Sequence, residues 1–135
     1  MAAEREDEAN FIVFRGPRNF IVLNLFPYTT GHLMIVPYEH VDRLEQASAE
    51  TLEEMIRLAQ RSERCLREVY KPAGFNLGMN LGELAGAGIA DHIHMHVLPR
   101  WPGDANFMTT IAETRVLPEE LPVTYRRLRA AFEIS

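Results

Sequence analysis

One cysteine and one tryptophan are spread over 135 residues, Lys71 is the only lysine, and each scarcity removes a class of protein. Cys65 has no second cysteine, so an internal disulfide and a cysteine-based zinc cluster are both excluded. Such a chain suits a reducing setting, and a cytoplasmic protein is expected. The formal net charge is −5, whereas a surface that holds nucleic acid non-specifically ordinarily carries the opposite sign. No apolar run approaches the roughly 20 residues that cross a bilayer, so no membrane partner is expected. The opening MAAEREDEAN is acidic and polar, unlike a secretory or mitochondrial leader. Repeats, low-complexity tracts and linkers are missing as well. Residues 1–135 therefore read as a single domain with a polar leader at 1–9.

What is present is an ordinary globular composition, 47% hydrophobic and 24% charged. FIVFRGPRNFIVLNL reads as two short strands joined at Gly16-Pro17, and GHLMIVPYEHV as a third that Gly31 opens and Pro37 limits. Leu52, Met55, Ile56 and Ala59 follow helical spacing, extended by Leu66, Val69 and Tyr70. Met55, Ile56 and Cys65 are expected in the core. Ser48 is the expected N-cap, Glu50 suits the first turn, and Lys71-Pro72 ends the helix. GFNLGMN reads as a further strand. A helical tail over 118–135 carries Tyr125, Leu128 and Phe132 on one side, and its Arg126, Arg127 and Arg129 are expected on a solvated face. Strands, then a helix, then strands suggest an antiparallel sheet with helices packed against it, an α+β domain.

The run ADHIHMHVLPRW commits three of the chain's five histidines to alternate positions. On a strand, His92, His94 and His96 would share one face while Ile93, Met95 and Val97 anchor the other. Metal binding is one reading, but the outer rings would start roughly 13 Å apart on an extended strand, too far for one ion to gather all three. A purely structural role fits a lone histidine better than three in strict alternation. Nucleophilic and general acid-base chemistry fits best: an imidazole is partly free base at neutral pH, its nitrogen can attack phosphorus without a metal, and neighbouring rings set one another's tautomer. Gly78, Gly82, Gly86 and Gly88 precede the run, and glycines let backbone amides turn toward an anion. Together they describe a phosphoryl site on an acidic protein.

From about Phe11 to Trp101 the chain resembles the histidine-triad (HIT) superfamily of nucleotide hydrolases and transferases. HIHMHVL matches the family signature His-φ-His-φ-His-φ-φ, and VLNLFPYTTGHLMIVPYEHV looks like the family's nucleoside-binding strand pair. The resemblance implies a HIT-like antiparallel sheet of about five strands, one long helix and a shorter C-terminal helix. It implies that His94 is the nucleophile, that His96 contacts the phosphate and helps the leaving group, and that His92 and His32 are supporting residues. His40 is assigned only a structural role at a strand end. Asn24 falls where the family contacts the ribose, with Leu23 and Leu25 near the base, and Asn80 where a polar side chain meets phosphate and ribose. Backbone N–H groups of Ala87, Gly88 and Ile89 would face the phosphate, although many relatives have Gly-Gln where this chain has Ala87-Gly88. The cysteine pairs that bind zinc in some relatives are missing.

PRWPGDANFM looks like the branch containing diadenosine tetraphosphate phosphorylases, which would place Trp101 near the substrate and let Arg100 serve a distal phosphate. The resemblance thus implies cleavage at the α-phosphate of a dinucleoside polyphosphate through a nucleotidyl-histidine, with water or phosphate as acceptor. The alternatives are a purine nucleoside phosphoramidase and a nucleotide-binding protein with slow turnover. No metal is required for the covalent step, and Mg²⁺ would enter with the polyphosphate. The expected partners are the nucleotide substrate and a second copy of the chain in a homodimer.

Overall fold

In the computed structural model, residues 2–25, 29–82, 92–103 and 119–135 are described. Five strands, β1 (Ile12–Arg15), β2 (Asn19–Leu23), β3 (Leu33–Pro37), β4 (Gly74–Gly78) and β5 (Met95–Arg100), are accompanied by helices α1 (Ala2–Ala9), α2 (Ala49–Tyr70) and α3 (Leu121–Ile134), with a short 3-10 turn at Leu44–Gln46. The strands form one antiparallel sheet in the order β1-β2-β3-β5-β4. This is the expected α+β architecture.

Strand alternation gives the sheet two different faces. Ile21, Leu23, Leu33, Ile35 and Val97 point to one side and join Met55, Leu58, Leu66, Leu128 and Phe132 in the core beneath α2 and α3. The pairings Phe20↔Val36, Val22↔Met34, Met34↔His96 and His96↔Gly78 set those residues on the opposite face. Asn24 and His32 extend that second face, since the Asn24 N–H donates to the His32 carbonyl at 3.0 Å.

Helix α2 begins and ends as its sequence predicts. The Ser48 hydroxyl accepts from the Thr51 N–H, and Lys71 turns the chain out in a left-handed conformation. Its buried stripe is Thr51, Met55, Leu58, Ala59, Ser62, Cys65 and Leu66. Ile56, expected in the core, is 53% exposed, because the 100° step from Met55 carries it off a face already wide enough for the sheet. The structure adds detail at both termini. The polar leader includes a helix whose Asp7 is only 4% exposed. Asp7 accepts from Arg15 Nε at 2.9 Å and lies 3.6 Å from Arg129. Of the α3 arginines expected on a solvated face, Arg126 and Arg127 are exposed, whereas Arg129 is half-buried and its Nη1 donates to the Ile12 carbonyl. Among the described residues no helix is long and apolar enough to cross a membrane.

Candidate active site

All five histidines of the chain fall in one continuous row at the sheet's second face. The His40 ring meets His92 edge-on with centroids 5.2 Å apart, His94 meets His96 at 4.8 Å, and His96 meets His32 at 5.0 Å. The link between His92 and His94 runs through the backbone, His94 Nδ1 lying 3.1 Å from the His92 carbonyl.

The histidine run does not form one strand, as alternation alone suggests. β5 starts at Met95, so His96 is in the sheet while His92 and His94 precede it. The physical reason lies in β3, whose last described pair with β5 is Ile35↔Met95 and which ends at Pro37, a residue without an N–H to continue a ladder. The chain instead bonds elsewhere. The Ile93 N–H donates to the Val41 carbonyl at 2.9 Å, and His92 Nε2 lies 2.6 Å from the Pro37 carbonyl. Ile93 and Val97 are nonetheless buried, as the alternation requires.

These contacts fix protons. A carbonyl oxygen only accepts, so the ring nitrogen facing it carries the hydrogen. His92 is held with hydrogen on Nε2, and His94 with hydrogen on Nδ1. In the neutral form of this half-buried ring the lone pair is then on His94 Nε2, the arrangement a nitrogen nucleophile needs. His32 Nε2 and His96 Nδ1 stand 2.8 Å apart and share one hydrogen. Burial, reinforced by the neighbouring His96 and His94, lowers the His32 pKa to about 4. Burial and the nearby His94 also lower that of His96. Both rings are thus neutral at pH 7, and one hydrogen-bond donor position is left for the pair to present.

Asn24 Nδ2 is 3.4 Å from both ring nitrogens of His32. Equal distances set the amide over the ring face rather than in its plane, where the intervening ring carbon would collide. Leu23 departs from expectation. At 1% exposure it belongs to the core, because its odd position points it toward α2, and contact with a base is closed to it. Leu25 is exposed, as is Asn80, and Trp101 is half-buried. Arg100 lies on the His96 face of β5, where its Nη1 donates to Asn76 Oδ1. Ala87, Gly88 and Ile89 lie outside the described residues. His40, read from the sequence as structural, buttresses His92. The structure adds residues that sequence reasoning passed over: Val22 and Met34 floor the face beside His96, and Thr29 Oγ1 donates to the Pro99 carbonyl to hold the turn before His32. Alternation along β2 and β3 carries a signal for Val22 and Met34; the Thr29 contact joins positions 70 residues apart and carries none. Among the described residues no group of three His, Cys, Asp or Glu side chains could hold a metal ion.

A five-stranded sheet with three clustered imidazoles aimed from one face defines a histidine-triad domain. The HIT domain family model matches residues 5–103, and the chain belongs to that family. It is 46% identical over 122 residues to the AP-4-A phosphorylase of Mycobacterium tuberculosis, covering 90% of this chain but 63% of that protein, so the chain spans somewhat under two thirds of its relative's length. It is 25% identical over 93 residues to the asymmetrical bis(5'-nucleosyl)-tetraphosphatase of Schizosaccharomyces pombe, covering 69% of this chain and 50% of that protein. Among solved structures, a zinc-bound histidine triad family protein from Mycobacterium smegmatis superposes with a TM-score of 0.75 at 28% identity, over 98% of this chain and 91% of the other.

Proposed function

We propose that the protein cleaves dinucleoside polyphosphates, diadenosine tetraphosphate among them, by nucleotidyl transfer through His94. The observation that carries this reading is the contact of His94 Nδ1 with the His92 carbonyl, which in the neutral ring places the hydrogen on Nδ1 and leaves the Nε2 lone pair beside His96. Nε2 attacks the α-phosphorus, an N–P bond forms, and the bond from that phosphorus to the bridging oxygen breaks. The polyphosphate departs as an anion, its leaving oxygen accepting a hydrogen bond from the one donor that the neutral His32–His96 pair presents. The nucleotidyl-histidine is then cleared by water or inorganic phosphate, which regenerates the imidazole. Backbone N–H groups at residues 87–89 stabilise charge on the phosphoryl oxygens, Asn24 and Asn80 meet the ribose and phosphate, and Trp101 flanks the substrate. The covalent step needs no metal, and Mg²⁺ accompanies the polyphosphate. The relationship to the mycobacterial phosphorylase favours phosphate as acceptor.

The protein acts as a homodimer. β4 is an edge strand of the sheet, and Leu77 on it and Leu81 just beyond are large apolar side chains left exposed, which a second copy would cover.

Incubation with diadenosine tetraphosphate, with and without inorganic phosphate, tests the chemistry. ADP plus ATP formed only with phosphate identifies phosphorolysis and AMP plus ATP identifies water as acceptor, whereas two ADP would mean attack at a β-phosphorus and overturn the α-phosphate mechanism. Absence of turnover, with AMP released from an adenosine phosphoramidate, would replace this reading with a phosphoramidase.

A further inference from the structure

Behind the turn that leads into His32 lies a cluster of polar side chains that the chemistry above does not use. Glu119, at the entrance to α3, accepts from Tyr70 OH at 2.5 Å and Thr124 Oγ1 at 2.7 Å on one oxygen, and from Arg127 Nη1 at 2.7 Å on the other. Its backbone N–H donates to Thr30 Oγ1 at 3.2 Å. The Arg127 guanidinium also covers the Tyr70 ring, 4.8 Å from its centroid, and Nη2 reaches the Val69 carbonyl. Burial alone would raise the Glu119 pKa, but the bonds from Tyr70, Thr124 and Arg127 outweigh it and the net shift is downward. Burial and the same carboxylate push the Tyr70 phenol up, so it stays a donor. Glu119 thus ties together the end of α2, the start of α3 and the turn at Thr30.

That turn is a single step from the reactive row. Gly31 takes φ +87° and is packed so tightly that an added methyl would stand 3.0 Å from Leu66 Cδ2, 3.4 Å from Pro99 Cγ and 3.5 Å from Tyr70 Cε2. The next residue is His32, whose N–H donates to the Thr29 carbonyl and whose Nε2 reaches His96. Thr29 is fastened to Pro99 on β5, the strand that carries His96. The His32–His96 contact is therefore set from two sides, by Thr29 on β5 and by Tyr70 and Glu119 beneath Thr30 and Gly31.

We propose that Glu119, acting through Tyr70 and Thr30, is a positioning residue that seats His32 against His96. The inference rests on reading the histidine row as the reacting site, but its principal test does not require turnover. In histidine-labelled protein, the titrations of all five rings are followed by NMR and assigned with single His→Asn variants. In Glu119→Gln and Tyr70→Phe, the His32 midpoint rises from about 4 toward the ordinary histidine value as the ring gains water, while that of His40, at the far end of the row, does not move. With diadenosine tetraphosphate as substrate, kcat falls on the order of tenfold with KM little changed, and the loss disappears when the same substitutions are made in a His32→Asn background. Unchanged His32 titration in the folded variants overturns the proposal, as does a kcat loss that persists undiminished without His32. If Glu119→Gln does not fold, Tyr70→Phe and Thr30→Val, which keep the Glu119–Arg127 pair, give the same readings. Should the wild-type protein fail to turn over any dinucleoside polyphosphate, the functional reading falls while the titrations still decide this one.

Discussion

His94 and His32 are separated by one ring, yet their environments assign them opposite tasks. His94 is half-buried with one nitrogen against a carbonyl, so in the neutral ring its other nitrogen is the one the proposed attack would use. Replacing it with alanine should lower kcat for diadenosine tetraphosphate by at least about a thousandfold and abolish the nucleotidylated protein seen by intact mass spectrometry, while AMP still binds in calorimetry. His32 is 1% exposed and resists protonation until pH falls to about 4. In the unfolded chain the same ring takes its proton near 6.5. Its contribution to stability is therefore complete above pH 6.5 and is lost progressively as pH falls toward 4, on the order of 3 kcal/mol in all. Urea unfolding at pH 7 and pH 4.5 should register this loss, and a His32→Asn variant should show a visibly shallower dependence between the two.

At the scale of elements, the site depends on segments that carry none of its chemistry. α1 is held through Asp7, which bonds Arg15 after β1 begins and approaches Arg129 on α3. Asp7→Ala leaves two guanidinium groups without their buried anion. Since both are partly in water, the cost should be about 2 kcal/mol rather than the full penalty of a sealed pair, measured as a lower urea midpoint with the m-value little changed. Gly31→Ala places a methyl against Leu66 at a positive φ. Destabilisation of about 1–2 kcal/mol should be accompanied by a larger loss of kcat than Asp7→Ala produces, because this strain falls on the turn into His32. Equal activity losses in the two variants would argue that the turn has no special link to the site.

At the scale of the whole molecule, β1 and β4 are the edges of the sheet among the described residues, and of these two β4 carries the exposed leucine, Leu77. Leu77→Asp should shift sedimentation-velocity mass from two copies to one at micromolar concentration without unfolding the chain. A wild-type protein that sediments as a monomer at the same concentration would remove the dimer from the proposal. The acidic charge of the molecule bears on the ligand too. Among the strands, β3, β4 and β5 contain a single arginine, Arg100, and no lysine, so a polyanion on this face must be held largely by neutral donors.

Much of this could be read along the chain, since periodicity and end signals are local. The alternation of β2 and β3, the Ser48 cap, the Lys71 exit and the burial of Ile93 and Val97 all follow from neighbours within a few residues. The candidate site was equally local, because three imidazoles at alternate positions are a pattern in one dimension. Packing decided the rest. Whether Ile56 or Leu58 faces the sheet, whether Leu23 meets a ligand or the core, and where the histidine strand begins all depend on which surface another element has already filled. The protonation of the row lay furthest from the sequence. A proton's place on His94 was set by a carbonyl two residues back, and the neutrality of His32 by desolvation and rings 62 and 64 positions away. Dielectric and distance in space govern those energies, and neither is a function of position along the chain.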